Sequence, residues 1–142
     1  MPHDFKKFPE LANSQMQFYY FDSPHKQILN DFRAKVVKVT DGDTIRVTCD
    51  FRDFNFPIRF ARIDAPEKDT PEGVISKKWL EKLLLNEEID ILIDKNNRVG
   101  KWGRLIGEIL HDGINVSQLS LSFNYSIPFG SKTFEKEMEE WL

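Results

Sequence analysis

This sequence has a single cysteine, Cys49, so no intrachain disulfide can form. It has no run approaching the roughly twenty apolar residues that a membrane-spanning helix needs. Its N-terminus lacks the apolar stretch of a secretory leader, so the expected location is cytoplasmic. It also lacks a basic excess: 20 Lys and Arg stand against 23 Asp and Glu, a net charge of −3. Salt-driven attachment to nucleic acid favours basic proteins, so broad electrostatic affinity is disfavoured. Part of the acidity is local. The tail after Gly130 carries Glu135, Glu137, Glu139 and Glu140 against Lys132 and Lys136, which leaves room for a basic cleft elsewhere. There is no internal repeat and no low-complexity segment.

What is present is an ordinary globular composition, 40% apolar and 30% charged, in 142 residues. That length suits one domain with a core large enough to fold alone. Ala34–Thr40 alternates like a strand, Asp41-Gly42 is a hairpin turn signal, and Thr44–Cys49 alternates again as the return strand. Cys49 follows Ile45 and Val47 at that spacing and reads as a small apolar side chain. Asp50–Asn55 reads as a loop and Phe56–Ile63 as a third strand. After a proline-interrupted loop to Pro71, Ile75, Trp79, Leu80, Leu83 and Leu84 mark one face of a helix ending near Asn86. Ile89, Ile91 and Ile93 give a fourth strand, Asp94–Gly103 a polar loop, and Leu105–Leu110 a fifth strand. Val116–Phe123 reads as a short helix, and Phe134, Met138, Trp141 and Leu142 line a terminal one. Five strands with a helix after the third predict an α+β fold: a five-stranded OB-type Greek-key barrel with about three external helices.

The residues that carry chemistry are acids and arginines. Asp43 follows the hairpin turn, Asp64 ends the third strand, and Glu67 comes three residues later in a proline-fixed turn. Arg59 lies between them, and Arg104 closes Lys101-Trp102-Gly103-Arg104. Two carboxylates can hold one divalent cation, and a third can orient or deprotonate water. Arginine forks fit phosphate oxygens and would offset charge developing on a phosphoryl group. Each residue alone has a plainer explanation: Asp43 as a turn acid, Asp64 and Glu67 as caps, Arg59 and Arg104 as solvated charges. Their joint occurrence is harder to explain by solvation.

Val36-Val37-Lys38-Val39, Asp41-Gly42-Asp43-Thr44, Arg59 through Glu67 and Lys101-Trp102-Gly103-Arg104 resemble, in order, the signature segments of the thermonuclease (staphylococcal nuclease-like) family. The resemblance covers roughly Arg33–Leu142. It implies an OB-fold nuclease that needs one calcium ion, Ca2+, and acts on DNA and/or RNA, with single strands preferred, as a monomer with no membrane partner. Asp43 and Asp64 match the calcium carboxylates, and the carbonyl of Ala65 matches a further metal ligand. Glu67 matches the residue proposed to activate water. Arg59 and Arg104 match the phosphate-gripping arginines. None of these positions is substituted, which favours an enzyme. The alternative is a non-catalytic OB-fold module that binds nucleic acid or protein. The chain departs from the family in its acidity, in a short segment between Glu67 and the helix, and in Trp102 where tyrosine is usual. The family's base-stacking aromatics have only Tyr125 and Phe129 nearby. Residues 1–32 lie outside the resemblance. They are expected to form an extension packed on a 33–142 domain, with Gln17–Phe21 as a strand or an aromatic strap. Tyr19, Tyr20, His25 and Lys26 form the competing reading, a nucleic-acid platform.

Overall fold

A computed structural model describes residues 5, 9–100 and 103–130. The expected terminal helix and Lys101-Trp102 lie outside the described residues. The strands are β1 (Phe32–Asp41), β2 (Thr44–Cys49), β3 (Arg52–Phe60), β4 (Ile63–Asp64), β5 (Glu88–Leu92), β6 (Leu105–His111), β7 (Ile114–Asn115) and β8 (Ile127–Pro128). The helices are α1 (Asn13–Tyr19), α2 (Pro71–Leu84) and α3 (Val116–Ser122). The large sheet runs β3-β2-β1-β5-β6-β7, and a parallel pairing of β3 with β6 closes five of its strands into a barrel. The expected OB-type barrel with external helices is the fold observed. Among the described residues, no helix is long and apolar enough to cross a membrane.

The barrel closes around Val36, Val39, Ile45, Val47, Phe56, Ile58, Phe60, Ile89, Ile91, Leu105 and Ile109, all buried. In β1 the simple alternation fails because the ladder slips between Val36 and Lys38. That bulge puts both Val36 and Val39 inside and leaves Val37 exposed. The segment expected as a loop before Phe56 belongs to β3, which starts at Arg52. At its other end, β3 stops at Phe60, because Arg62 takes a positive φ of 70° and breaks the extended run. Asp64 therefore stands on its own short strand, pinned by pairing with Ile127 on β8.

Helix α2 is capped by Thr70, whose hydroxyl accepts from the Gly73 N–H at 3.0 Å, with Pro71 as its first residue. Its buried face is Gly73, Ser76, Leu80 and Leu84, rather than one built on Ile75, which is exposed. Small residues lead that face because the helix packs hard against the site loops. A Cβ on Gly42 would meet Ser76 Oγ at 2.1 Å and Ala65 Cβ at 2.8 Å. One on Gly73 would meet the Glu67 carbonyl at 1.9 Å. The β1–β2 turn and the loop after β4 are thus wedged against the same helix.

The N-terminal segment differs most from expectation. Gln17–Phe21 lies on α1 and a following 3-10 turn, not on a strand, and Phe18 and Phe21 are 69% and 97% exposed. The contacts with the barrel come instead from residues on either side of that stretch. Glu10, Leu11, Gln27 and Ile28 are buried. The Gln27 amide donates to the Pro9 carbonyl at 2.8 Å and accepts from the Leu11 N–H at 2.5 Å. The His25 ring packs edge-on to Phe54 at 5.1 Å.

Candidate active site

Three chain segments meet at one end of the barrel: the β1–β2 turn, the β3–β4 junction and the approach to β6. Asp43 is nearly buried. Its Oδ2 accepts from the Ala65 N–H at 2.8 Å, and its Oδ1 accepts from the Thr44 hydroxyl at 3.1 Å. Arg59 Nη2 lies 2.7 Å from Asp64 Oδ1 and 3.4 Å from Asp43 Oδ2. Its Nη1 donates to the carbonyls of Phe60 and Ile63, each at 2.9 Å, so the guanidinium is locked at both ends. Asp64 Oδ2 accepts from the Gly130 N–H at 3.2 Å.

Arg104 joins this group through Thr44, whose Oγ1 accepts from Nη1 at 3.3 Å. The Arg104 Nε is buried and has no hydrogen-bond partner among the described residues. A donor paired so weakly keeps capacity for an incoming acceptor.

The structure thus brings together Asp43, Asp64, Arg59 and Arg104 from four sequence positions. Ala65 is buried beside them, with its N–H on Asp43. Glu67 stands two residues further on, in an exposed loop, where its carbonyl accepts from the Thr70 hydroxyl at 2.6 Å. Two members were not assigned roles from sequence. Thr44 links Asp43 to Arg104, and Asp41 accepts the Asp43 N–H at 3.0 Å. Both belong to the Asp-Gly-Asp-Thr motif, which was the signal that could have found them. Tyr125 is half-buried and lays one ring face on Trp79 at 4.8 Å. Phe129 is 71% exposed and lines a cavity of about 520 Å³ with Arg59, Arg62, Asn97, Ile106 and Glu108.

Burial pushes the Asp43 carboxyl up to about 6, and the neighbouring Asp41 carboxylate adds to the rise. The Ala65 N–H and Arg59 pull the other way without cancelling it. This has a consequence for stability. The folded protein holds the Asp43 proton more tightly than the unfolded chain, whose carboxyl titrates near 3.8. The contribution is therefore present below about pH 4 and lost as pH rises through about 6. A gap of this size corresponds to roughly 2–3 kcal/mol. Asp43→Asn should be more stable than the parent above pH 6 in chelator, and the advantage should vanish near pH 4. Urea melts of both proteins across pH 4–8 check this; a constant difference would contradict it.

The site chemistry is that of hard oxygen donors. Among the described residues, no three acidic, histidine or cysteine side chains stand close enough to form a metal cage by themselves. Two carboxylates, Asp43 and Asp64, do converge on one guanidinium nitrogen. That set suits a calcium-type ion, which completes its shell with carbonyl, water and ligand oxygens.

The fold is an OB-type barrel with an acidic hairpin turn and two arginines gathered at one end. The chain is 34% identical over 89 residues to an uncharacterized endonuclease of Escherichia coli O157:H7, covering 62% of this chain and 55% of that one. It is 33% identical over 79 residues to the micrococcal nuclease of Shigella flexneri, covering 56% and 42%. It is 29% identical over 90 residues to the SPbeta prophage-derived endonuclease of Bacillus subtilis strain 168, covering 59% and 30%. No protein-family profile matches the chain. The chain spans about half the length of the curated relatives it matches. Over more than half of its length the chain is thus similar to proteins named endonuclease or micrococcal nuclease.

Proposed function

We propose that this protein is a calcium-dependent nuclease that hydrolyses phosphodiester bonds of DNA or RNA, preferring single strands and acting as a monomer. The observation that carries the reading is the meeting of Asp43 and Asp64 on one nitrogen of Arg59, with Arg104 tied in through Thr44. The names of the relatives support the same reaction class. Asp43, Asp64 and the carbonyl of Ala65 would hold the ion. When bound, it supplies a Lewis acid that polarises a phosphoryl oxygen and lowers the proton affinity of water.

The chain's own residues do the rest. Arg59 is engaged by the carboxylates that would hold the ion, so loading the site and turning Arg59 toward a phosphate are linked. Arg104, half-buried, would present its guanidinium to the charge that builds on the phosphoryl oxygens. Thr44 connects Arg104 to Asp43 by one long and one ordinary hydrogen bond. Glu67, on the exposed loop two residues after Ala65, would take a proton from the attacking water. The open cavity beside Arg59, with Phe129 at its edge, gives a splayed strand a place to lie, which favours single-stranded substrate.

The test is direct. Purified protein is incubated with single-stranded DNA and RNA in calcium, magnesium or chelator. Degradation in calcium, spared by chelator, is the expected result. Tight binding without cleavage in any divalent ion would point to a non-catalytic binding module, and equal cleavage in chelator would remove the metal from the reaction.

A further inference from the structure

The segment that delivers Arg104 is held from an unexpected direction. Arg98 lies in the stretch expected as a polar loop, yet its side chain is almost completely buried. Its Nη1 donates to Glu10 Oε2 at 3.1 Å and to the Ile28 carbonyl at 2.7 Å. Its Nη2 donates to the Leu11 carbonyl, and its Nε reaches Asn13 Oδ1 at 3.5 Å. All these acceptors belong to the N-terminal segment, which precedes the barrel. Glu10 is in turn fixed by Arg52, whose Nη2 lies 2.6 Å from Glu10 Oε1.

The backbone of Arg98 performs the second half of the link. Its carbonyl accepts the Ile106 N–H at 2.8 Å. Val99 bridges Leu105, and the Gly100 N–H donates to the Arg104 carbonyl at 2.9 Å. These bonds hold the backbone of Arg104 and of the two residues that follow it. Among the described residues the Arg104 side chain makes one long hydrogen bond, to Thr44, which by itself does little to fix it. Its position depends on the backbone ladder, and that ladder depends on where Arg98 is anchored.

We propose that Arg98 is a positioning residue for Arg104, and that the N-terminal segment supplies its anchor. Glu10 and the carbonyls of Leu11 and Ile28 hold the guanidinium, the guanidinium holds the 98–106 ladder, and the ladder sets Arg104 at the site. The N-terminal segment is then a working part of the active site, although none of its residues is in the acidic–arginine cluster. This inference rests on the nuclease reading for its kinetic consequence and on the ladder geometry alone for its structural one.

The test uses Arg98→Lys in the full chain. Lysine keeps a buried positive charge opposite Glu10 but is a compact point donor and cannot reproduce the guanidinium fork. With saturating single-stranded DNA and calcium, kcat should fall about tenfold, with KM changing less than twofold. In an Arg104→Ala background the same substitution should cost less than twofold, because the residue it acts through is gone. A merely structural role would cost the same factor in both backgrounds, and that result would overturn the proposal. Hydrogen exchange supplies a readout independent of activity. The Gly100 and Ile106 amides should lose protection at least tenfold, while the Val36 and Phe60 amides in the barrel keep theirs. If the parent protein cleaves nothing, the nuclease reading fails and exchange alone decides. Selective loss at Gly100 and Ile106 sustains the anchor, and unchanged protection there overturns it. Should Arg98→Lys fold poorly, Glu10→Gln, read by the same exchange measurement, gives the same decision.

Discussion

Arg104→Ala should cut turnover by two orders of magnitude or more while leaving the barrel folded. The magnitude is that of removing one preorganised charge stabiliser from an active site. The tolerance follows from the weak ground-state contacts of Arg104: one hydrogen bond of 3.3 Å and a buried Nε with no hydrogen-bond partner among the described residues. Little native-state bonding is lost, so the melting temperature should move by only a few degrees. Arg59→Ala should behave differently. It removes the cation that Asp43 and Asp64 share, together with two hydrogen bonds to backbone carbonyls. Turnover should fall at least as far, and the protein should also lose stability in chelator, because two largely buried carboxylates then face each other without a counter-charge. Added calcium should recover part of that stability. Steady-state kinetics with thermal melts, with and without calcium, separate the two arginines. Equal melting curves for both variants would show that Arg59 does not neutralise the acidic pair.

Glu10→Ala should be among the most destabilising single changes in this protein. Glu10 lies between two buried guanidiniums, 2.6 Å from Arg52 Nη2 and 3.1 Å from Arg98 Nη1. Its Oε2 also accepts the Ile28 N–H at 3.2 Å. Arg52 also donates from Nη2 to the Lys26 carbonyl at 2.7 Å and lies over apolar rings, 4.5 Å from the Phe56 centroid and 5.2 Å from that of Phe54. Removing the one carboxylate that this group has among the described residues leaves two buried cations without a counter-charge from it, at a cost of about 3–5 kcal/mol. In a chain of this size that corresponds to a fall in Tm of roughly 10 °C or more. Glu10→Gln keeps the shape and one acceptor and should lose less. Differential scanning calorimetry checks both. A Glu10→Ala protein melting within 2 °C of the parent would mean that the buried charges are not what fastens the N-terminal segment.

The exposed aromatics of α1 bear on the same segment. Dense aromatic content at Gln17–Phe21 suggested a hydrophobic strap, since such residues usually bury area. The fastening is instead made by Glu10, Gln27 and Arg98, which look from sequence like ordinary surface residues. Charged and amide side chains carry no periodicity that reveals burial. Whether one is buried depends on whether a partner arrives from elsewhere in the chain, and these partners are 88 positions apart for Arg98 and Glu10.

By itself the sequence determined the five barrel strands in outline, helices α2 and α3 and the barrel class, because two-residue and helical periodicities record which faces meet the core. It also determined the acids and arginines of the site, because the Asp-Gly-Asp-Thr turn and the Arg59–Glu67 segment place functional groups a few residues apart. Only the tertiary structure decided the rest. The positive φ at Arg62 ended β3 early and set Asp64 on a strand whose partner lies more than sixty residues away. Helix α2, led by Gly73 and Ser76, pressed the turn of Gly42 and the loop at Ala65 together. Closure of β3 on β6 brought Arg104 to Thr44, and burial of the resulting cluster raised the proton affinity of Asp43. The physical reason is common to all of these: local pattern encodes which way a side chain faces, whereas distance, desolvation and shared counter-charges exist only once remote segments have packed.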